Sequence, residues 1–96
     1  MANIEAYKEV LGKILDGKVR AFGAELVVSK ASSVSGLKVD DEGKVVSLSG
    51  NPKSVINSLL KKFEEIAGSV STISARTAII GTKRKYPNLD LPDALK

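Results

Sequence analysis

The segment 34–68 constrains the fold more than any other part of this 96-residue chain, because a hairpin pattern runs there directly into a helix pattern. Leu37 and Val39 alternate with polar residues, and after a short turn Val46 and Leu48 do the same. Alternation with a period of two is typical of strands that have one buried and one solvated face. The segment therefore predicts an antiparallel β-hairpin.

The turn of this hairpin has the sequence Asp40-Asp41-Glu42-Gly43. A glycine at the end of a short acidic loop supplies the positive φ angle that a type I turn with a G1 bulge requires. Neighbouring carboxylates also suggest a cation site, but a tight turn offers fewer oxygen ligands than a divalent ion needs. The acidic residues are therefore interpreted as turn residues, and no metal site is predicted.

The helix predicted after the hairpin is marked at both ends. Asn51 is a favourable N-cap, Pro52 suits the first helical position, and Gly68 suits the position just beyond the last turn. Between them the apolar residues keep the spacing of one helical face: Val55, Ile56, Leu59, Leu60, Phe63, Ile66 and Ala67. The sequence predicts a helix over 52–67 whose apolar face forms the centre of the core.

Two further helices are predicted before the hairpin. Residues 3–16 carry apolar side chains at helical spacing, and Gly17 lies where such a helix would stop. Residues 18–31 suit a second helix because Phe22 and Leu26 share one helical face, although a pair of valines there would also suit a strand. We favour the helix because strict alternation is missing.

The segment after the central helix, residues 69–81, is compatible with a helix or a strand. Val70, Ile73, Thr77 and Ile80 follow helical spacing, whereas the many β-branched residues favour a strand. We prefer the helix. The predicted fold class is α+β, a small single domain with an antiparallel β-hairpin packed against helices. Its element order is ααββαα, or ααββαβ if this segment is a strand.

Residues 83–96 differ from the domain formed by residues 1–82, because they are polar, basic at the start and contain Pro87 and Pro92. Proline lacks a backbone N–H and interrupts regular structure, so an extended C-terminal tail is predicted. Three leucines would let this tail dock on the domain itself or on a partner: Leu89, Leu91 and Leu95.

The sequence contains neither cysteine nor histidine. Histidine is the commonest general acid–base residue, and histidine and cysteine are the usual zinc ligands. An enzyme is therefore less expected than a binding protein, and no cofactor is predicted. The missing cysteines favour a reducing cytoplasm, and no apolar run is long enough for a membrane span. The many Lys, Glu, Ile and Val residues also fit a thermophilic microbe.

Positive charge is concentrated in the second half of the chain. The net charge is +4, and residues 51–96 hold eight Lys and Arg against four Asp and Glu. Basic side chains are candidate contacts for an anion, a nucleic acid or an acidic protein surface. The candidate positions are Arg76, Lys83, Arg84 and Lys85, with Tyr86 beside them.

The hairpin also suggests how the protein associates. A two-stranded sheet is marginally stable alone and leaves unpaired backbone groups at its edges. Pairing of two hairpins, or of packed helices, predicts a homodimer, with a candidate edge at Val45, Val46 and Leu48. The leading hypothesis is a homodimeric, cytoplasmic, non-catalytic interaction or regulatory module that binds another protein. The alternative is a nucleic-acid-binding protein that uses the basic C-terminal half.

Overall fold

Residues 4–96, which the computed structural model describes, form helices around one antiparallel hairpin. The elements in chain order are α1 (Ile4–Phe22), α2 (Ala24–Ser32), β1 (Leu37–Val39), β2 (Val45–Leu48), α3 (Pro52–Ala67), α4 (Ser69–Ala78), α5 (Ile80–Lys85) and a closing 3₁₀ turn (Asp93–Leu95). The α+β class and the order of helices, strands and helices are confirmed. The segment 69–81 is helical, so the alternative with a strand there is wrong.

Helix α1 is longer than the sequence predicts. It continues through Gly17 and ends at Phe22, where Gly23 adopts a φ of 89° and its N–H donates to the Val19 carbonyl at 2.8 Å. A glycine inside a helix costs about 1 kcal/mol relative to alanine. Here the turn after Gly17 buries Lys18 against the core, and this packing keeps the helix intact. Helix α2, in the segment that also suited a strand, is confirmed as a helix.

The predicted hairpin turn is confirmed in detail. The Gly43 N–H donates to the Asp40 carbonyl at 3.0 Å, and Gly43 has a φ of 82°. The Asp40 carboxylate accepts hydrogen bonds from the backbone N–H groups of Lys44, at 3.0 Å, and Glu42, at 2.9 Å. These backbone hydrogen bonds, that of Lys44 first, hold the pKa of Asp40 below its usual value because they favour the charged form.

The two strands are paired with a bulge that the sequence pattern does not show. Lys38 pairs with Ser47 and Val39 pairs with Val45, which leaves Val46 as an extra residue. A bulge of this kind reverses the alternation of side chains along the strand. Val45 therefore packs against the core together with Leu48, while Val46 is 59% exposed. The prediction that Val46 lies on the buried face is wrong for this reason.

Helix α3 has both predicted ends. The Asn51 side chain accepts hydrogen bonds from the backbone N–H groups of Lys53 and Ser54, at 3.0 and 3.2 Å. At the other end the Gly68 N–H donates to the Glu64 carbonyl at 2.8 Å. The predicted apolar face is buried as far as Phe63: Val55, Ile56, Leu59, Leu60 and Phe63. Ile66 is 38% exposed, so the predicted face is wrong at its last turn.

The C-terminal segment is not an extended tail. Residues 83–85 form the end of α5, and Leu91 and Leu95 are buried in the same core as α1 and α3. The Tyr7 hydroxyl donates to the Asp90 carbonyl at 2.7 Å, which ties this segment to α1. The proline content predicts the loss of regular structure after residue 86, but burial of the leucines decides where the segment lies.

Replacement of Leu95 by alanine tests the docking of this segment. We expect Leu95→Ala to lower the free energy of unfolding by about 2–4 kcal/mol, because it removes a fully buried leucine side chain. Chemical denaturation measures the change. The neighbouring exposed Lys96→Ala is the matched control and should change stability by less than about 0.5 kcal/mol. Equal stability of wild type and Leu95→Ala would show that the segment is not packed on the core.

The Asp40 carboxylate should make the hairpin sensitive to acid. A carboxyl whose pKa is lower in the folded state contributes stability that is present above the unfolded pKa and is lost as the pH falls through the folded pKa. Unfolding measured between about pH 5 and about pH 2 should therefore show a smaller loss of stability for Asp40→Asn than for wild type. Asp41→Asn, in the same turn, is the control, because the two backbone hydrogen bonds are accepted by Asp40 and not by Asp41. An unchanged acid sensitivity in Asp40→Asn would contradict the assignment.

Candidate interaction surface

Helix α4 turns its smaller side chains inwards. Ser71 and Ala75 are buried on it, and Ile79 and Thr82 continue the buried face into α5. Small side chains allow two helices to approach closely, and α4 packs against both α1 and α3. The inner face of α4 is therefore suited to close packing rather than to the burial of large side chains.

The opposite face of α4 and α5 is apolar and exposed. We call Val70, Ile73, Thr77 and Ile80 the outer stripe. Val70 is 64% exposed, Ile73 57% and Ile80 48%. Their spacing indicates a helix, as the sequence predicts, but the face they define points to solvent. The outer stripe is an amphipathic surface whose apolar side is uncovered within residues 4–96.

Two of the predicted basic contacts lie beside the outer stripe. Arg76 follows Ile73 by one turn, and Arg84 follows Ile80 by one turn, and both side chains are exposed. The other end of the stripe is acidic, because the Thr72 hydroxyl donates to the Glu64 carboxylate at 3.1 Å. Glu64 therefore lies near the start of the outer stripe, Arg76 beside its middle and Arg84 beyond its last residue.

The three basic residues at 83–85 have different surroundings in the structure. Lys85 donates to the Glu9 carboxylate at 3.0 Å, and its Nζ lies 5.3 Å from the centre of the Tyr86 ring. This ion pair lowers the pKa of Glu9 and raises the pKa of Lys85, because each charge stabilises the other. Lys83 and Tyr86 are half-buried. The structure therefore places Arg76 and Arg84 beside the outer stripe, whereas Lys85 forms an ion pair with Glu9 on α1.

The predicted dimer edge on the hairpin is not a single surface. Val45 and Leu48 are half-buried against the core, whereas Val46 is exposed at the bulge. A bulge interrupts the regular row of backbone groups that edge-to-edge pairing uses. Among the residues predicted at this edge, Val46 is the exposed one.

Three buried polar residues were not recognised from the sequence: Lys18, Ser71 and Thr82. Lys18 is 3% exposed, and its Nζ donates to the Ser71 carbonyl at 2.6 Å and lies 5.7 Å from the centre of the Phe63 ring. Burial lowers the pKa of Lys18 because it disfavours the charged form. The signal is present in the sequence, since Lys18 continues the helical spacing of Tyr7, Leu11 and Ile14.

Other kinds of site receive no support from the described part of the chain. Residues 4–96 contain no group of three or more metal-ligating side chains. None of the helices described is both long and apolar enough to cross a bilayer. Comparison of the chain with known protein families, curated proteins and solved structures finds no match. Function is therefore inferred from the surfaces of the protein itself.

Proposed function

We propose that this protein is a small homodimeric interaction module without catalytic activity, and that two copies meet through the outer stripe. The observation that carries the proposal is the exposure of Val70, Ile73 and Ile80 along one face of α4 and α5. Contiguous exposed apolar side chains on a small domain are typical of protein interaction sites. A cytoplasmic location is part of the proposal and is supported by the cysteine-free sequence.

The proposed dimer pairs the two copies of α4 in antiparallel orientation. Two-fold symmetry permits this orientation, with the symmetry axis crossing the helices, and each contact then occurs twice. Val70 of one protomer then faces Ile80 of the other, and Ile73 faces Thr77. Such an arrangement removes from water three of the four most exposed large apolar side chains of residues 4–96: Val70, Ile73 and Ile80.

Charge supports the same direction. Glu64 lies at the start of the outer stripe and Arg84 at its end. Antiparallel pairing brings Glu64 of one protomer towards Arg84 of the other, whereas parallel pairing would bring like charges together. Opposite charges at the rim favour correct pairing and add little to affinity, so burial of the stripe is the main stabilising contribution.

Dimerisation also gives the module a way to bind another protein. A symmetric dimer presents every remaining surface twice, and a partner with two matching segments gains avidity from simultaneous contact. The exposed Val46 at the hairpin bulge and the half-buried Lys83 on α5 are duplicated in this way. The proposed role is therefore that of a dimeric scaffold whose partner is a protein.

Substitution of Ile73 by lysine tests the dimer surface. We expect wild type to sediment as a dimer at micromolar concentration and Ile73→Lys to sediment as a monomer, because a charge would be buried at the centre of the contact. Val46→Lys is the matched control, since Val46 is equally exposed but lies on the hairpin, and it should remain dimeric. Equilibrium sedimentation measures the mass. A monomeric wild type would overturn the proposal. Loss of the dimer in Val46→Lys but not in Ile73→Lys would place the contact on the hairpin instead.

A charge exchange tests the direction of pairing in the same experiment. Arg84→Glu should weaken the dimer because it places two negative side chains together, and the added change Glu64→Arg should restore it. The dissociation constant from sedimentation is the readout. Failure of the double variant to recover affinity would contradict antiparallel pairing while leaving the Ile73 result intact.

Nucleic-acid binding is the competing function, and its support is the exposed pair Arg76 and Arg84 in the basic half of the chain. Against it, Lys85 is already paired with Glu9. We expect no binding of duplex DNA or single-stranded RNA at physiological salt in fluorescence anisotropy. Each phosphate contact contributes about −0.9 to the slope of log K against log salt for duplex DNA. A steep slope that becomes shallower in Arg76→Gln/Arg84→Gln would establish nucleic-acid binding instead.

A further inference from the structure

A small cavity lies between the second half of α1 and the inner side of α4. Its volume is about 170 Å³, and Ile14, Phe22, Val70, Ala75 and Ala78 form most of its apolar wall. Gly17 and Ala21 of α1 also line it, and their lack of bulk leaves the space open. An engineered apolar cavity of about 150 Å³ accommodates benzene, so this volume is sufficient for a molecule of roughly four to six carbon atoms.

The polar part of the cavity contains a buried lysine without an anionic partner. Lys18 lines the cavity and is buried. Its Nζ donates to the Ser71 carbonyl and faces the Phe63 ring, and none of the ion pairs found within residues 4–96 includes it. An ammonium group has three N–H donors, so a donor remains for another acceptor. A buried cation that lacks a counter-charge is unfavourable, and a negatively charged ligand would supply that charge.

The same cavity contains a buried hydroxyl without a hydrogen-bond partner. Ser71 lines the cavity, and its Oγ is the buried side-chain oxygen in residues 4–96 that makes no hydrogen bond. Most buried polar groups in folded proteins are hydrogen-bonded, so an unpartnered hydroxyl calls for an explanation. Lys18 and Ser71 therefore each lack something that one ligand group can provide.

We propose that this cavity binds a short-chain monocarboxylate, with the carboxylate at Lys18 and Ser71 and the hydrocarbon chain against the apolar wall. The two carboxylate oxygens accept from the Lys18 ammonium and the Ser71 hydroxyl. Ile14, Phe22 and Val70 then cover the chain. The polar side chains of the lining are Lys18, Ser71 and Ser74, and the one positive charge among them suits the single charge of a carboxylate better than a phosphate group. The proposal does not depend on the homodimer, although Val70 belongs to both surfaces.

The test is an NMR titration of the full-length labelled protein with hexanoate at neutral pH. We expect saturable shifts of the Lys18 Cε–H signals together with the methyl signals of Val70, Ala75 and Ala78. Hexanol and hexylammonium are the control probes, because they share the hydrocarbon chain but lack the negative charge. Both should bind at least about tenfold more weakly than hexanoate if the ammonium group recognises the carboxylate.

Variants separate the carboxylate contact from simple filling of the cavity. Lys18→Met keeps a similar side-chain length without charge and should weaken hexanoate binding about tenfold or more. Ser71→Ala removes the second donor and should weaken it by a smaller factor, which keeps the test valid if Lys18→Met does not fold. Lys13→Met, an exposed lysine on α1, should bind hexanoate like wild type. Absence of saturable shifts in wild type, equal affinity for hexanol, or unchanged hexanoate binding in Ser71→Ala and Lys18→Met would each overturn the proposal.

Discussion

The structure depends on the burial of Phe63, because three helices meet around its ring. Phe63 is fully buried on α3, and the Phe22 ring at the end of α1 stacks on it with centres 6.1 Å apart. The Lys18 ammonium lies over the same ring and reaches the Ser71 carbonyl on α4. One aromatic side chain thus contacts two residues at the end of α1, and one of these, Lys18, connects it to α4. Aromatic rings bury large areas and have preferred contact geometries, so they are well suited to this role.

The close approach of α4 to α1 explains why the larger apolar side chains of α4 face outwards. On α4 the side chains that face the helix pair are Ser71 and Ala75, and both are buried. Side chains as large as isoleucine would force the helices apart and remove Phe63 from its neighbours, because well-packed interiors tolerate little added volume. The exposed face and the small cavity therefore have a common origin in the packing of this helix pair.

Features encoded by neighbouring residues were predictable from the sequence, and features decided by distant contacts were not. The Asp40–Gly43 turn and the Asn51 cap depend on hydrogen bonds within a few residues, so their sequence signals are sufficient. The helical spacing of α1 extends to Lys18, but the contact of Lys18 with Phe63 joins residues that are far apart in the sequence, and no local pattern predicts it. The bulge at Val46 similarly depends on the register with β1. The same holds for the candidate site. The helical spacing of the outer stripe was predictable, but its exposure to solvent depends on how α4 packs against α1 and α3.

The position of the C-terminal segment bears on what covers the outer stripe. The leucines of this segment predict that it docks on the domain or on a partner. In the structure Leu91 and Leu95 are buried in the core, and the Asp90 carbonyl accepts a hydrogen bond from the Tyr7 hydroxyl. Asp90 also accepts from Lys53 at the start of α3, so the segment is fixed on the side of the molecule where α1 and α3 begin. Its closing 3₁₀ turn also packs against α4, yet Val70, Ile73 and Ile80 remain exposed, so the segment does not cover the outer stripe. In the proposed dimer a second copy of the chain would cover the stripe, since it carries apolar residues and opposite charges in the order that antiparallel pairing needs.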